Sequence, residues 1–186
     1  SAEEVAQPIR TKVTPIVTEK THLNFLFPTL IIIVVMLISL LLASGLIVKE
    51  KLNFAYFRNA IAPVNRIVFL LGHFLTNFVI LTLQLVIIFG VASFFFKSAL
   101  TQVLFEASIA LIFIVSIFIL IGMLIGYFFK SEETAMLATV FMASLLLFFS
   151  STILPLESLP VSLKRIADFN PFVISELILK KIMLFK

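Results

Sequence analysis

Residues 25–48 read FLFPTLIIIVVMLISLLLASGLIV and contain no charged side chain. A helix of about 20 apolar residues crosses the hydrocarbon core of a bilayer, so this stretch is long enough to span a membrane. Three more uncharged stretches of similar or greater length follow at 67–96, 107–129 and 134–156. Lipid offers no partner to the backbone, so we expect each stretch to be a helix. The sequence therefore predicts an all-α integral membrane protein, a helical bundle with four full transmembrane helices.

The composition of the chain agrees with this class and excludes several chemistries. Of the 186 residues, 61% are apolar and 13% charged, whereas soluble domains are roughly half apolar and a quarter charged. With no Cys and only His22 and His73, far apart in sequence, the chain offers no usual metal-ligand spacing. No Gly precedes a Lys, which excludes a P-loop, and the four uncharged runs hold no acidic pair. We expect no catalytic, cofactor or metal site in this chain.

The charged residues indicate the surroundings and the regions of the chain. The net charge is +4, but Lys and Arg are scattered over every polar segment. This favours contact with the headgroups of a lipid bilayer over binding of nucleic acid. Residues 1–24 form a polar stub, 25–156 the transmembrane bundle, and 157–186 an amphipathic helix and an incomplete last segment. Pro28 is expected in the first turn of its span, where no intrahelical donor is lost.

The loop at 49–66, between the first two spans, is the most informative polar segment. Asn53 to Ile61 can form a short helix along the membrane, with Asn53 as its cap and Pro63 enforcing its end. Its aromatic side chains would lie in the interface, or enter a groove on a partner while its charges orient it. The residues alone leave both a plain interfacial connector and a docking helix open.

Short motifs border the spans in a fixed order. They are VKEK at 48–51, APVNR at 62–66, LGH at 71–73, KSEETA at 130–135, and LPLESLP at 154–160 with NP at 170–171. In this order and spacing they resemble the membrane subunit, or permease, of type-2 ATP-binding-cassette (ABC) exporters. The resemblance covers residues 10–180. His73 stands where the family has Lys, and Ser150-Ser151-Thr152 stands where it often has a Ser-Gly pair.

The resemblance implies a topology and a partner. It puts 49–66 and 130–133 in the cytoplasm and both ends outside the plasma membrane, in a multi-pass chain from which the family's first and last spans are missing. Asn53 to Ile61 becomes the cytoplasmic coupling helix, which docks on a separate ABC ATPase subunit that binds ATP and Mg. The residues assigned to ATPase coupling are Glu50, Asn53, Phe54, Tyr56, Phe57 and Arg58.

The resemblance also implies a function. The chain would be no enzyme itself, but the dimerising subunit that couples ATP hydrolysis to export. Its other partner would be a second permease copy or homologue, with the spans 25–48 and 134–156 lining the route at the dimer axis. Lipid-like molecules, drugs, polysaccharide and ions are the family's cargoes. The alternative is a non-transporting structural or sensory membrane protein whose loop lies on the inner leaflet.

Polar residues inside the runs predict either helix packing or a transport route. His73, Asn77 and Gln84 recur at spacings that place them on one face of the second helix. Such a face should point at other helices or at a wet cavity, and both alternatives stay open. In the fourth run Ser144 and Ser151 belong to a hydroxyl cluster whose members can bond back to their own helix.

Two further patterns predict local structure. Gly122 and Gly126 form a Gly-x-x-x-Gly motif that permits close helix approach, within the bundle or in a dimer. Ser131 is expected to cap the fourth helix, with Glu132 and Glu133 in its first turn.

Beyond the fourth run, residues 157–169 alternate apolar and charged side chains and predict an amphipathic helix begun by Ser158 and Pro160. By resemblance it belongs to an extracellular re-entrant helix pair that closes the pathway. An interfacial helix resting on lipid is the alternative.

Overall fold

The computed structural model describes residues 22–53, 65–95, 101–150 and 161–184, and all regular structure within these ranges is helical. The helices are α1 (His22–Leu52), α2 (Arg66–Phe95), α3 (Thr101–Phe128), α4 (Glu132–Phe148), α5 (Val161–Asp168) and α6 (Pro171–Leu184). The predicted all-α class is thereby confirmed.

Helix α1 is the centre of the bundle. It packs against α2, α3, α4 and α6. Its buried residues, among them Ile32, Met36 and Leu40, recur at the three- and four-residue spacing of a helix face and join one continuous core with α2, α3 and α6. A single stripe of α1 stays exposed in its first half. The stripe consists of Leu26, Leu30, Val34 and Ile38.

Three helices are long and apolar enough to cross a membrane. These segments are Leu26–Leu52, Ile67–Val91 and Phe105–Phe128. Of these three long helices α2 is the most peripheral, because it packs against α1 and α3 but not against α4 or α6. Its outer surface is apolar and includes the exposed Leu75, Val79 and Leu83. Exposed apolar side chains of this kind suit lipid rather than water, which agrees with the predicted class of membrane protein.

The fourth predicted span, 134–156, differs from the helix that the structure contains. Helix α4 ends at Phe148 and has 17 residues, about 25 Å at 1.5 Å per residue, less than a hydrocarbon core of roughly 30 Å. It ends there because its last carbonyls find other donors. The Asn170 Nδ2 atom donates to the Leu146 carbonyl at 2.7 Å and to that of Phe149 at 3.3 Å. Residues 151–156 lie outside the described ranges.

Helices α4 and α6 lie one after the other along α1. In α4, the Thr139 hydroxyl donates to the Ser44 Oγ atom at 3.0 Å, and the helix runs antiparallel to α1. Asn170, which precedes α6, bonds to the end of α4, and six residues later the Glu176 carboxylate accepts from Thr29, close to the start of α1. The 17 residues of α4 and the 14 of α6 together match the 31 of α1.

One predicted helix boundary also needs correction. Helix α1 begins at His22, so Pro28 lies inside the helix rather than in its first turn. Its missing N–H removes only one bond near the end, which neighbouring helices can offset. The predicted amphipathic segment is described from Val161 to Asp168, with Lys164 and Arg165 exposed and Ala167 buried, and Ser158 and Pro160, which were predicted to begin it, lie outside the described residues. Asn170 ends it, as predicted, and starts α6 by accepting from the Phe172 N–H.

Candidate functional site

Three helix ends meet at one end of the bundle, which we name the Lys51 end. Helix α1 finishes at Leu52, α3 finishes at Phe128, and α4 begins at Glu132. The Lys51 Nζ atom donates to the carbonyls of Gly126, Tyr127 and Phe129 at 2.8, 2.6 and 2.8 Å. The ammonium also lies 5.4 Å from the centre of the Tyr127 ring.

This arrangement, which we name the Lys51 clamp, has a direct physical reason. The last carbonyls of a helix have no intrahelical donor and carry the negative end of the helix dipole. A lysine supplies both the missing donors and a compensating positive charge. The clamp therefore fixes the end of α3 to the last turn of α1, immediately before the 53–65 loop.

The start of α4 completes the Lys51 end. Ser131 is the N-cap, as predicted, because its Oγ atom accepts from the Thr134 N–H at 3.3 Å. The Thr134 hydroxyl in turn donates to the Ser131 carbonyl at 3.1 Å. Glu132 and Glu133 are exposed in the first turn, where the helix dipole favours anions. With the exposed Lys49 and Lys130, they give this end a surface of both charges.

The residues predicted for ATPase coupling fall partly on this end. Glu50 is half-buried in the last turn of α1, and its carbonyl accepts from the Asn53 N–H at 3.1 Å. Asn53 is exposed just beyond the helix. Phe54, Tyr56, Phe57 and Arg58, and with them the predicted coupling helix, lie outside the described residues. On the far side of that gap Asn65 caps α2, since its Oδ1 atom accepts from the Ile67 N–H at 3.1 Å.

The two glycines of the Gly-x-x-x-Gly motif face α1. A methyl group at Gly126 would lie 2.6 Å from the Ser44 carbonyl oxygen, and one at Gly122 would lie 2.8 Å from that of Leu40. Such distances are below van der Waals contact, and the nearest atom in each case is a backbone oxygen. Only glycine allows α3 to approach α1 this closely, and the contact lies directly beside the Lys51 clamp.

The predicted polar face of α2 is partly buried. His73 and Gln84 are half-buried, and Asn77 is completely buried. The Asn77 Nδ2 atom donates to the His73 carbonyl of its own helix at 2.8 Å, while its Oδ1 atom has no partner within the described ranges. His73 also meets the edge of the Phe69 ring. Whether this face serves packing or a transport route stays a prediction.

The two predicted serines of the fourth run have different outcomes. Ser144 is exposed on α4, and its hydroxyl donates to the Val140 carbonyl of the same helix at 2.8 Å. Ser151 lies outside the described residues.

Sequence reasoning missed two contacts that join α1 to other helices. The first is the Lys51 clamp, and the second is a buried carboxylate, Glu176, which accepts from the Thr29 hydroxyl at 2.7 Å and lies 2.6 Å from the Lys180 ammonium. A signal existed for the second contact. Glu176 is the one acidic residue in the apolar segment 171–186, and an ionisable residue in such a segment usually has a dedicated partner.

The comparisons with known proteins give a single match. No curated protein and no solved structure matches the chain significantly. The family model described as "ABC-2 family transporter protein" matches residues 1–185. This match agrees with the long apolar helices and confirms the resemblance drawn from the border motifs. The chain therefore belongs to the ABC-2 family of transporter membrane proteins, the permease components of ABC transporters.

Proposed function

We propose that this chain is the membrane subunit of an exporter and couples ATP hydrolysis on a separate nucleotide-binding subunit to movement of its own helices. Family membership implies an ABC ATPase partner. The observation that carries the coupling role is the Lys51 clamp, because it joins the last turn before the loop to another helix.

The proposed coupling path begins in the loop. Asn53 and Asn65 stand at its two ends, one after α1 and one before α2. A displacement of the loop by the ATPase would move the end of α1, and Lys51 would carry that movement to the end of α3. Helix α3 ends at Phe128 and α4 begins at Glu132, so the start of α4 would follow the movement of the end of α3. One docking contact would thus reach four helices.

The other subunits supply what this chain does not. ATP and Mg bind on the ATPase, and a second permease copy or homologue completes the route across the plasma membrane. Three long helices and the α4–α6 pair, which together match α1 in length, make up the four crossings in this proposal. The exposed apolar stripe of α1 is available to the second copy or to the cargo.

Replacing Phe54, Tyr56 and Phe57 together with alanine is expected to release the ATPase subunit while the permease stays inserted. The aromatic side chains would provide most of the buried area at a docking contact, as aromatic anchors do at other interfaces. The measurement is copurification of the ATPase with an affinity-tagged permease. A matched control is Phe113→Ala, which removes an exposed ring from α3, far from the loop. Undiminished copurification of the triple variant would remove the coupling role.

Cysteines introduced at Asn59 and Ser162 are expected to be labelled from opposite sides of the membrane. The natural chain has no Cys, so each variant carries a single reactive thiol. An impermeant maleimide added to intact cells should label the Ser162→Cys variant, and Asn59→Cys only after the cells are opened. Labelling of both from the same side would overturn the proposed topology.

A further inference from the structure

The Thr29–Glu176 contact joins α1 and α6 at the end of the bundle opposite to Lys51. Glu176 is 1% exposed and Thr29 is 4% exposed, so both are enclosed by protein. The Thr29 hydroxyl donates to the Glu176 Oε1 atom at 2.7 Å, and the Lys180 Nζ atom lies 2.6 Å from the same oxygen. The proposed coupling path uses none of these three residues.

The rest of α6 around this contact is mostly apolar. The opposite face of the helix exposes Ile174, Leu177 and Ile178, which suits lipid. Removing an ionised side chain from water is costly, and its partner must offset that cost. Apolar residues could hold the helix at lower cost, because replacing a buried ion pair by well-packed apolar groups is often neutral or stabilising.

A polar contact has a different advantage, which is that water can replace it. When two helices separate and water enters, a hydroxyl and a carboxylate can each bond to water instead of to each other, at a small net change in free energy. The contact between α1 and α3 lacks this property. There the backbone of α1 lies against Gly122 and Gly126, and separation would leave close-packed surfaces without partners.

Helix α1 therefore has one neighbour that is held by close packing and one that is held by a contact that water can replace. Helix α3 is fixed by close packing and by the Lys51 clamp. Helix α6 is held by a hydrogen bond to a carboxylate whose charge Lys180 balances. Of these two neighbours, α6 is the one whose polar contact with α1 water can replace.

We propose that Glu176 is a positioning residue of the transport cycle: its bond to Thr29 holds α6 against α1, Lys180 balances its charge, and the bond to Thr29 is exchanged for water when α6 moves away and opens this end of the bundle. We name this contact the Thr29–Glu176 latch. The proposal rests on the proposed function, because ATP supplies the movement. It assigns to one carboxylate the closing of the end opposite to the coupling loop.

The test uses a single thiol on the buried face of α6. Ser175 is 3% exposed and next to Glu176, and its hydroxyl donates to the Pro171 carbonyl of its own helix. Ser175→Cys is therefore a conservative reporter in a chain without natural Cys. The reporter is combined with Thr29→Val, which removes the hydroxyl and keeps the shape, or with Thr29→Ser, which keeps the hydroxyl. A small impermeant methanethiosulfonate reagent measures how often water reaches the thiol in reconstituted vesicles.

We expect the reporter to react about three- to tenfold faster with Thr29→Val than with Thr29→Ser, the range typical of hydrogen bonds between helices within membranes. Equal rates in the two variants would overturn the latch. The Ser175→Cys variant that keeps Thr29 is tested in the complex with the ATPase. There, ATP and orthovanadate should accelerate its labelling. An unchanged rate in a complex that hydrolyses ATP would show that α6 stays in place and would also overturn it.

Failure of the proposed function gives a different result. If no ATPase copurifies with the permease, the coupling role is lost. The comparison of Thr29→Val with Thr29→Ser needs only the permease, and it still decides whether the Thr29 bond to Glu176 holds α6 closed.

Discussion

A Gly126→Leu variant is expected to lose the contact between α1 and α3, and with it the folded bundle. Even the first added carbon would lie 2.6 Å from the Ser44 carbonyl oxygen and 2.9 Å from the Ile47 Cβ atom. The Ser44 oxygen belongs to the backbone of the central helix, so it cannot rotate away. Gly126→Ala alone should lower the free energy of unfolding by about 1–3 kcal/mol, the usual cost of overpacking, and leucine should cost more.

Gly45 provides the matched control for this prediction. It lies on α1 next to Ser44, and a methyl group there would meet nothing within 4 Å. Gly45→Ala should therefore leave stability unchanged, or raise it slightly through the better helix propensity of alanine. Size-exclusion chromatography after heating in detergent measures the fraction that stays monodisperse. If the Gly126→Ala and Gly45→Ala variants survive heating equally, the prediction that α3 packs closely on α1 at Gly126 is wrong.

A Lys51→Met variant is expected to release the end of α3 without releasing the ATPase. Methionine keeps the length and the apolar stem, but it removes three donors from the carbonyls of Gly126, Tyr127 and Phe129. Hydrogen bonds from a charged donor contribute about 1.5–3 kcal/mol. The amides at 127–131 should then exchange with solvent deuterium at least tenfold faster. Stimulation of ATP hydrolysis by the permease should fall toward the rate of the isolated ATPase.

Lys49→Met is the control for the clamp, since Lys49 is exposed on the same turn of α1 and carries the same charge. It should change neither deuterium exchange at 127–131 nor ATP hydrolysis. Lys51→Arg should restore part of both, because it returns the donors in a different geometry. Equal behaviour of the Lys49 and Lys51 variants would mean that charge at this end matters, and not the clamp.

The long helices could be predicted from sequence because their cause is local. An uncharged run such as 25–48 must form its hydrogen bonds within itself in lipid, whatever surrounds it. The Ser131 cap is equally local, since its partner is three residues away. The early end of α4 could not be predicted in this way. It depends on Asn170, which lies 24 residues beyond the Leu146 carbonyl to which it donates.

For the candidate site, too, local features could be predicted from sequence, whereas contacts between distant residues could not. The glycine motif indicated close helix approach, but not that its partner surface would be Leu40 to Ile47 of α1. Lys51 stood in the sequence as one basic residue among several, because the carbonyls that it binds are 75 to 78 residues away. Spacing along the chain carries no information about which helix end lies beside a lysine. Only the packing of α1 on α3 brings the two together.

The latch residues also constrain how the protein is made. Helix α6 follows the other five described helices in the chain, so it leaves the ribosome after them. It carries Glu176, Lys180 and Lys181 within 14 residues, and such a segment does not partition into lipid on its own hydrophobicity. In the proposed topology, it would enter the bilayer beside α1, where the Thr29 hydroxyl can donate to its carboxylate. Insertion of α6 would therefore be a step in which protein, rather than lipid, surrounds the arriving helix.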